Sequence, residues 1–361
     1  MSENDLRISA AIMTHPARED RARGLAESLP ELRPVVVVDE SAPGGGNLAN
    51  ALRAWAATGP EATHHLVLQD DVVPCKGFAE LLHRAVSARP EDAISLFCEW
   101  GSRSANLVRV AARHGWAWAR AVDMYTPTQG LVMPREAALG FATSGNAGGA
   151  DDLALVQYLR ESGRTNVVTV PNLLDHEDRL SLTANGFQGP RRATCVLGES
   201  EPNFGTPVAG IGLTRLPYAS WMRVHAEWFY CGTAHERYTW LGEFADTVLP
   251  EGLRRADLEG RFRADLKAEP ELLSAVSELT LFEYWATYFS LGLVQTEPVP
   301  PEPGPYAEAA FASAFPGLFR RYLPMDAVTA LAGSAGRLAA AAFEQGAVAV
   351  VARPHPDWHR E

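Results

Sequence analysis

Three short stretches set carboxylates where they could do chemistry. HHLVLQDDVVP (64–74) closes an apolar run with Asp70 and Asp71, and GADDL (149–153) puts Asp151 and Asp152 at the head of a helix-like segment. LLDHED (173–178) places His176 between Asp175 and Glu177. Adjacent carboxylates suit two tasks. They hold Mg²⁺ or Mn²⁺, hard ions that share oxygen ligands with substrate phosphates. Alternatively one of them, its pKa raised by its neighbour, removes a proton as a general base. Both pairs also have a plain structural use, because acids cap helices and favour their first turns. TPTQGLVMPREAA (126–138) adds Gly130, a point where backbone could approach a ligand, or simply a loop glycine.

These residues need elements to hold them. ISAAIM (8–13) reads as a strand, REDRARGLAESL (18–29) as a helix, and PVVVVDE (34–40) as a second strand ending in Asp39 and Glu40. GGGNLANALRAWAATG (44–59) is a glycine loop running into a helix, with Leu48, Leu52 and Trp55 at helical spacing. The strand HLVLQ (65–69), the helix GFAELLHRAVSA (77–88) and the strand AISLFCEW (93–100) follow. SGNAGGADDLALVQYLRESG (144–163) delivers Asp151 and Asp152 to a helix whose Leu153, Val156, Tyr158 and Leu159 are expected to face inward. VVTVPNLLDHEDRLSL (167–182) is a strand, a proline stop and the His176 segment. Such alternation predicts an α/β domain over residues 1–200, a mostly parallel sheet flanked by helices. A run such as VVVV fits a strand buried on both faces.

In open parallel sheets, ligands gather beyond the carboxyl ends of the strands. A carboxylate there repels a phosphate unless a divalent cation lies between them, which suits Asp70 and Asp71. The alternative for such an acid is contact with a sugar hydroxyl or base edge. From residue 201 to 361 the texture changes to long helix-like stretches, SAVSELTLFEYWATYFSLGLV (274–294) and MDAVTALAGSAGRLAAAAFEQG (325–346), separated by the proline-rich EPVPPEPGP (297–305). A mainly helical second domain is expected.

Composition excludes several classes. The 361 residues, 47% hydrophobic and 21% charged, suffice for about two globular domains. Thirty-two Lys and Arg against 44 Asp and Glu give a net charge of -12, which disfavours a nucleic-acid or anionic-membrane partner. An acidic start and the lack of a long apolar run lead to the expectation of a cytoplasmic protein without a membrane anchor. The four cysteines stand singly and are expected to be free thiols, mostly buried.

In order and spacing, these motifs resemble the GT-A glycosyltransferases, nucleotide-sugar-dependent enzymes, over residues 6–185. The resemblance implies a GT-A-like, Rossmann-like catalytic domain. LQDD (68–71) resembles the LEDD form of that family's metal motif, with Gln69 where an acid often stands. It implies Mn²⁺ or Mg²⁺ held by Asp71, assisted by Asp70 and His176. GLVMP matches the glycine-containing acceptor loop, with Gly130 near the donor. GADDL matches the acidic pair of inverting members, in which Asp152 would be the base and Asp151 would orient an acceptor hydroxyl. THPAR (14–18) implies Thr14, His15 and Arg18 on base or diphosphate, and Asp39 on base or ribose. The implied partners are a nucleotide-diphosphate sugar donor and a small-molecule acceptor, with self-association into a homo-oligomer left open.

Two other classes share the scaffold: a sugar-1-phosphate nucleotidyltransferase, and a non-catalytic nucleotide-sugar-binding protein. The first would carry a glycine-rich, Arg-containing loop after the first strand, and THPARED is not one. GGGNLA lies after the second strand, so it is no dinucleotide fingerprint. HAEWFYCGTAHE lacks HExxH, and no GxSxG pentapeptide occurs. The aromatic stretch SWMRVHAEWFYCGTAHERYTW (220–240) reads as core, or as acceptor recognition outside the first domain.

Overall fold

The computed structural model describes residues 6–40, 47–144, 149–177, 185–231, 239–243, 253–295 and 297–351. Gly44, Gly45 and Gly46 of the glycine loop, Asp178, His235 and Glu236 lie outside the described residues. The chain divides into two units that interleave along the sequence: residues 1–98, 117–179 and 196–208 form the first, and 99–116, 180–195 and 209–361 the second.

The first unit is built on a mixed sheet. Its strands are β1 (Ile8–Thr14), β2 (Val35–Val38), β3 (His64–Gln69), β5 (Ala93–Ser95), β6 (Trp118–Arg120), β7 (Gly130–Pro134), β8 (Asn166–Thr169) and β10 (Val208–Ala209), where the chain passes between units. Their order is β10-β6-β8-β5-β7-β3-β1-β2. β1 pairs parallel with β2 and β3, and β5 with β8, while β7 runs antiparallel to β3 and β5, and β6 to β8. A separate two-stranded ladder joins β4 (Val72–Pro74) to β9 (Leu174–His176).

Side chains of period two divide the sheet's faces. Ala11, Met13, Val37, Val67, Leu131 and Met133 form one core with α2 (Leu48–Ala56), α5 (Arg135–Ala142) and α6 (Asp151–Glu161). Helix α1 (Glu19–Glu27) packs against β1 and β2, and α3 (Phe78–Ala88) buries Phe78, Leu82 and Val86. Two expectations need correction. β2 is an edge strand with Val35 54% exposed, so the four valines are not buried on both faces. In α6 the inward stripe is Asp151, Ala154, Leu155 and Leu159, spaced i, i+3, i+4 and i+8, and this phase turns Leu153 out to solvent.

Among the elements of the second unit are helices α4 (Ser104–His114), α7 (Arg255–Leu266), α8 (Glu278–Leu293), α9 (Ala307–Ala312), α10 (Ala314–Phe319) and α11 (Met325–Val351). α8 and α11 cross closely: a side chain at Gly292 would strike the backbone at Phe343 and Ala347, and one at Gly346 the backbone at Phe289. Part of the aromatic stretch forms an antiparallel sheet of β11 (Arg215–Ala219), β12 (Ala226–Tyr230) and β13 (Thr239–Glu243), with Trp228 and Phe229 buried. Cys98, Cys195 and Cys231 are buried free thiols and Cys75 is half-buried. Among the described residues no helix is long and apolar enough to cross a membrane.

Candidate functional site

The carboxyl ends of β1 and β3 lie side by side, because the two strands pair in parallel with Met13 opposite Gln69. The residues just beyond, Thr14 and Asp70, are therefore neighbours, and the Thr14 hydroxyl donates to Asp70 Oδ2. Pro16–Arg18 forms a single 3₁₀ turn, capped where His15 Nδ1 accepts the Ala17 N–H at 3.1 Å. That turn folds Arg18 back over the strand ends. Its Nη1 lies 3.3 Å from Asp70 Oδ1 and 3.2 Å from Asp71 Oδ2, with the guanidinium largely buried. Arg21, one turn further on, donates from Nε to the Asp70 carbonyl and pairs with Glu177 Oε2 at 2.7 Å. Burial raises the Asp70 carboxyl above its ordinary range, opposed by the Thr14 hydrogen bond, reinforced by the charge of Asp71 and opposed again by Arg18.

His176 reaches the same place through the β4–β9 ladder. Val72 pairs with His176, and the Glu177 N–H donates to the Asp71 carbonyl at 2.9 Å. The imidazole is buried, with Nε2 3.4 Å from Asp71 Oδ2 but outside hydrogen-bond geometry. Neither ring nitrogen has a hydrogen-bond partner among the described residues. The other two buried histidines of the sheet behave differently. His64 reaches Pro90 O at 2.8 Å and Thr63 Oγ1 at 3.0 Å, and His65 reaches Ala54 O at 2.9 Å and the Ser9 hydroxyl at 2.8 Å. Burial lowers the pKa of both, as expected for neutral structural histidines. His176 is the exception, since a buried polar nitrogen without a partner costs about 1–3 kcal/mol.

Does a divalent ion fit? Two ligands bound at about 2.1 Å and separated by 90–110° stand about 3.0–3.4 Å apart, the spacing of Asp71 Oδ2 and His176 Nε2. The pair fits, with remaining positions open to water or phosphate oxygens. A preformed three-ligand site is absent: among the described residues no group of three or more His, Cys, Asp or Glu side chains is arranged to hold a metal. Asp70 stands apart because Thr14 and Arg18 engage its two oxygens.

The second acidic pair is linked to the first through neutral donors. Gln69 Nε2 donates to Thr128 Oγ1 at 3.0 Å, and the Thr128 side chain hydrogen-bonds the Asp151 carboxylate. Asn47, just before α2, donates from Nδ2 to Asp151 Oδ1 and accepts the Asp151 N–H on Oδ1 at 3.2 Å. Asp151 is 4% exposed. Burial, then the charge of Asp152, push its carboxyl up to about 6, against the lowering effect of Asn47 and Thr128. Repulsion within the pair was the expected cause; burial is the larger one. Asp152 is half-buried, is raised mainly by burial, and accepts the Leu153 N–H at 2.7 Å. It is the member of the pair that solvent reaches.

Other expected residues stand further off. His15 is exposed, its Nδ1 used for the cap. The Asp39 N–H extends the β1–β2 ladder by donating to Thr14 O at 2.8 Å, which sets Asp39 beside the site. Gly130 opens β7, but the space its side chain would take is filled by Leu174 and Leu68, so it permits packing there rather than ligand approach. Arg21, Asn47 and Thr128 are site residues that motif reasoning passed over. Arg21 lies three residues after Arg18, on the same side of a turn, and Asn47 is the polar residue that ends the glycine loop. Thr128 carried no signal.

No family model matches the sequence, and no curated protein matches it significantly. The functional case therefore rests on the site's own chemistry.

Proposed function

We propose that this protein is a metal-dependent, inverting glycosyltransferase with a GT-A-like catalytic domain, which moves a sugar from a nucleotide-diphosphate sugar to a hydroxyl of a small-molecule acceptor. The observation that carries the reading is the buried His176 imidazole, without a hydrogen bond among the described residues, held 3.4 Å from an Asp71 oxygen at the ends of β1 and β3. Asp71 and His176 would hold Mn²⁺ or Mg²⁺, with Asp70 beside them. When bound, the ion neutralises charge on the departing diphosphate.

The remaining work belongs to the chain. Thr14 and Arg18 lie where they can meet the diphosphate, and Asp39 where it can meet base or ribose. Asp152, the more accessible acid, takes the proton of the acceptor hydroxyl as that oxygen attacks the anomeric carbon opposite the leaving group. Asp151 holds the acceptor hydroxyl in line, itself fixed by Asn47 and Thr128. Burial raises both carboxyls, that of buried Asp151 to about 6, and a raised carboxyl suits proton abstraction.

The test is a panel of nucleotide-diphosphate sugars with Mn²⁺ and with EDTA, read by nucleotide release and by NMR of the product. Mn²⁺-dependent release with inversion at the anomeric carbon is expected. Conversion of the nucleotide sugar to nucleoside triphosphate and sugar-1-phosphate when pyrophosphate is added, or retained configuration, would overturn the assignment.

A further inference from the structure

Arg18 and a divalent cation want the same carboxylate oxygen. Nη1 lies 3.2 Å from Asp71 Oδ2, and His176 Nε2 lies 3.4 Å from that oxygen. An ion bonded there at about 2.1 Å would sit no more than about 5.3 Å from the guanidinium nitrogen. Arg18 is permanently charged, and the site is shielded from solvent, so the repulsion between the two cations is poorly screened. Its second contact, Asp70 Oδ1 at 3.3 Å, ties it across both acids.

We propose that Arg18 is an internal counter-ion that occupies the acidic pair in the nucleotide-free protein and transfers to the donor's diphosphate when a cation binds. This rests on the glycosyltransferase reading and adds the regulation of its site. Arg18 Nη1 bridges one oxygen of each carboxylate, and the guanidinium fork can trade these contacts for the oxygens of a phosphate. Departure of Arg18 from Asp71 frees the oxygen that faces His176, and the diphosphate brings oxygens of its own to complete the ion's shell. Metal and donor therefore bind cooperatively. Each raises the other's affinity by the same factor. The protein thereby avoids holding a cation when no donor is present.

The test measures Mn²⁺ alone, by calorimetry and by the electron paramagnetic resonance of free Mn²⁺, on the full chain and on its Arg18→Gln and Arg18→Lys variants. Circular dichroism and thermal melting verify their fold. Arg18→Gln should bind Mn²⁺ at least about tenfold tighter than the native chain in the absence of nucleotide. Arg18→Lys, which keeps the charge, should stay within about threefold of native. Inorganic pyrophosphate, a diphosphate without base or sugar, should then sharpen Mn²⁺ binding of the native chain more than that of Arg18→Gln. Equal Mn²⁺ affinity in all three proteins would overturn the counter-ion role while leaving the metal assignment standing. Absence of Mn²⁺ binding in all three, with and without pyrophosphate, would overturn both.

Discussion

The two Asp-Asp pairs of the first unit have the same sequence and opposite surroundings. Asp70 and Asp71 meet one charged partner, Arg18, across both carboxylates, with the His176 ring beside Asp71. Asp151 meets neutral donors, the Asn47 amide and the Thr128 hydroxyl, in a position with almost no exposure. A charged partner favours the ionised form, and on Asp70 Arg18 works against the upward push of burial. Neutral partners in a dry site leave it undecided about its proton. The first pair is thus suited to cations of full charge, the second to a proton in transit, and the dipeptide says nothing of the difference.

The largest effect should come from the cation-facing pair. Asp71→Ala should reduce turnover to background in Mn²⁺, a loss of at least about a thousandfold, since several kcal/mol of charge stabilisation is removed. The fold should survive, as judged by circular dichroism. Unchanged turnover, or full activity in EDTA, would erase the distinction between the pairs.

Next comes the proton-handling pair. Asp152→Asn should lower kcat by about 10²–10⁴-fold and leave donor affinity nearly intact, the signature of a lost general base. A variant that weakens donor binding equally would place Asp152 with the first pair instead.

Asp151 offers a test in stability. Its carboxyl moves from the ordinary 3.8 to about 6 on folding, so the folded state holds the proton more tightly. The stabilisation from that proton is present below pH 3.8 and is lost as pH rises through about 6. Asp151→Asn removes this loss. It should be more stable than the native protein at pH 8, by up to about 3 kcal/mol, and equally stable near pH 3.5. Urea unfolding at both values measures it, and a variant less stable at pH 8 would show that Asp151 is ionised at no cost.

The smallest effect concerns Thr128. Thr128→Val deletes a hydrogen bond to the ionised form of Asp151, so the carboxyl should move further up and the activity profile should shift toward higher pH, at a cost of about 1 kcal/mol. A pH–rate profile identical to that of the native protein would remove Thr128 from the site.

Much of this arrangement is legible in the chain. Apolar runs marked β1, β2 and β3, the acids that end β2 and β3 marked the place where a ligand would collect, and helical spacing marked α2, α3, α8 and α11. Less legible were short strands whose hydrogen bonds leave the ladder. β5 stops at Ser95 because the Leu96 carbonyl is taken by the N–H groups of Leu173 and Leu174, which ended the expected strand over 93–100 five residues early. The phase of α6 was misjudged because a buried aspartate occupies its apolar stripe, a position that hydrophobic patterning assigns to leucine. The interleaving of the two units, with residues 99–116 and 180–195 in the second, leaves no compositional trace.

What the sequence by itself determined is local: which segments are strands and helices, and that acids stand at their ends, because period and polarity act between residues a few positions apart. Only the tertiary structure decided which acid meets which partner. Arg18 and Asp71 are 53 residues apart, and Asn47 and Asp151 are 104 apart. Parallel pairing of β1 with β3 closes the first distance, and the packing of α2 against α6 closes the second. Burial then sets each carboxyl's affinity for a proton or a cation, and burial is a property of the packed chain rather than of any residue in it.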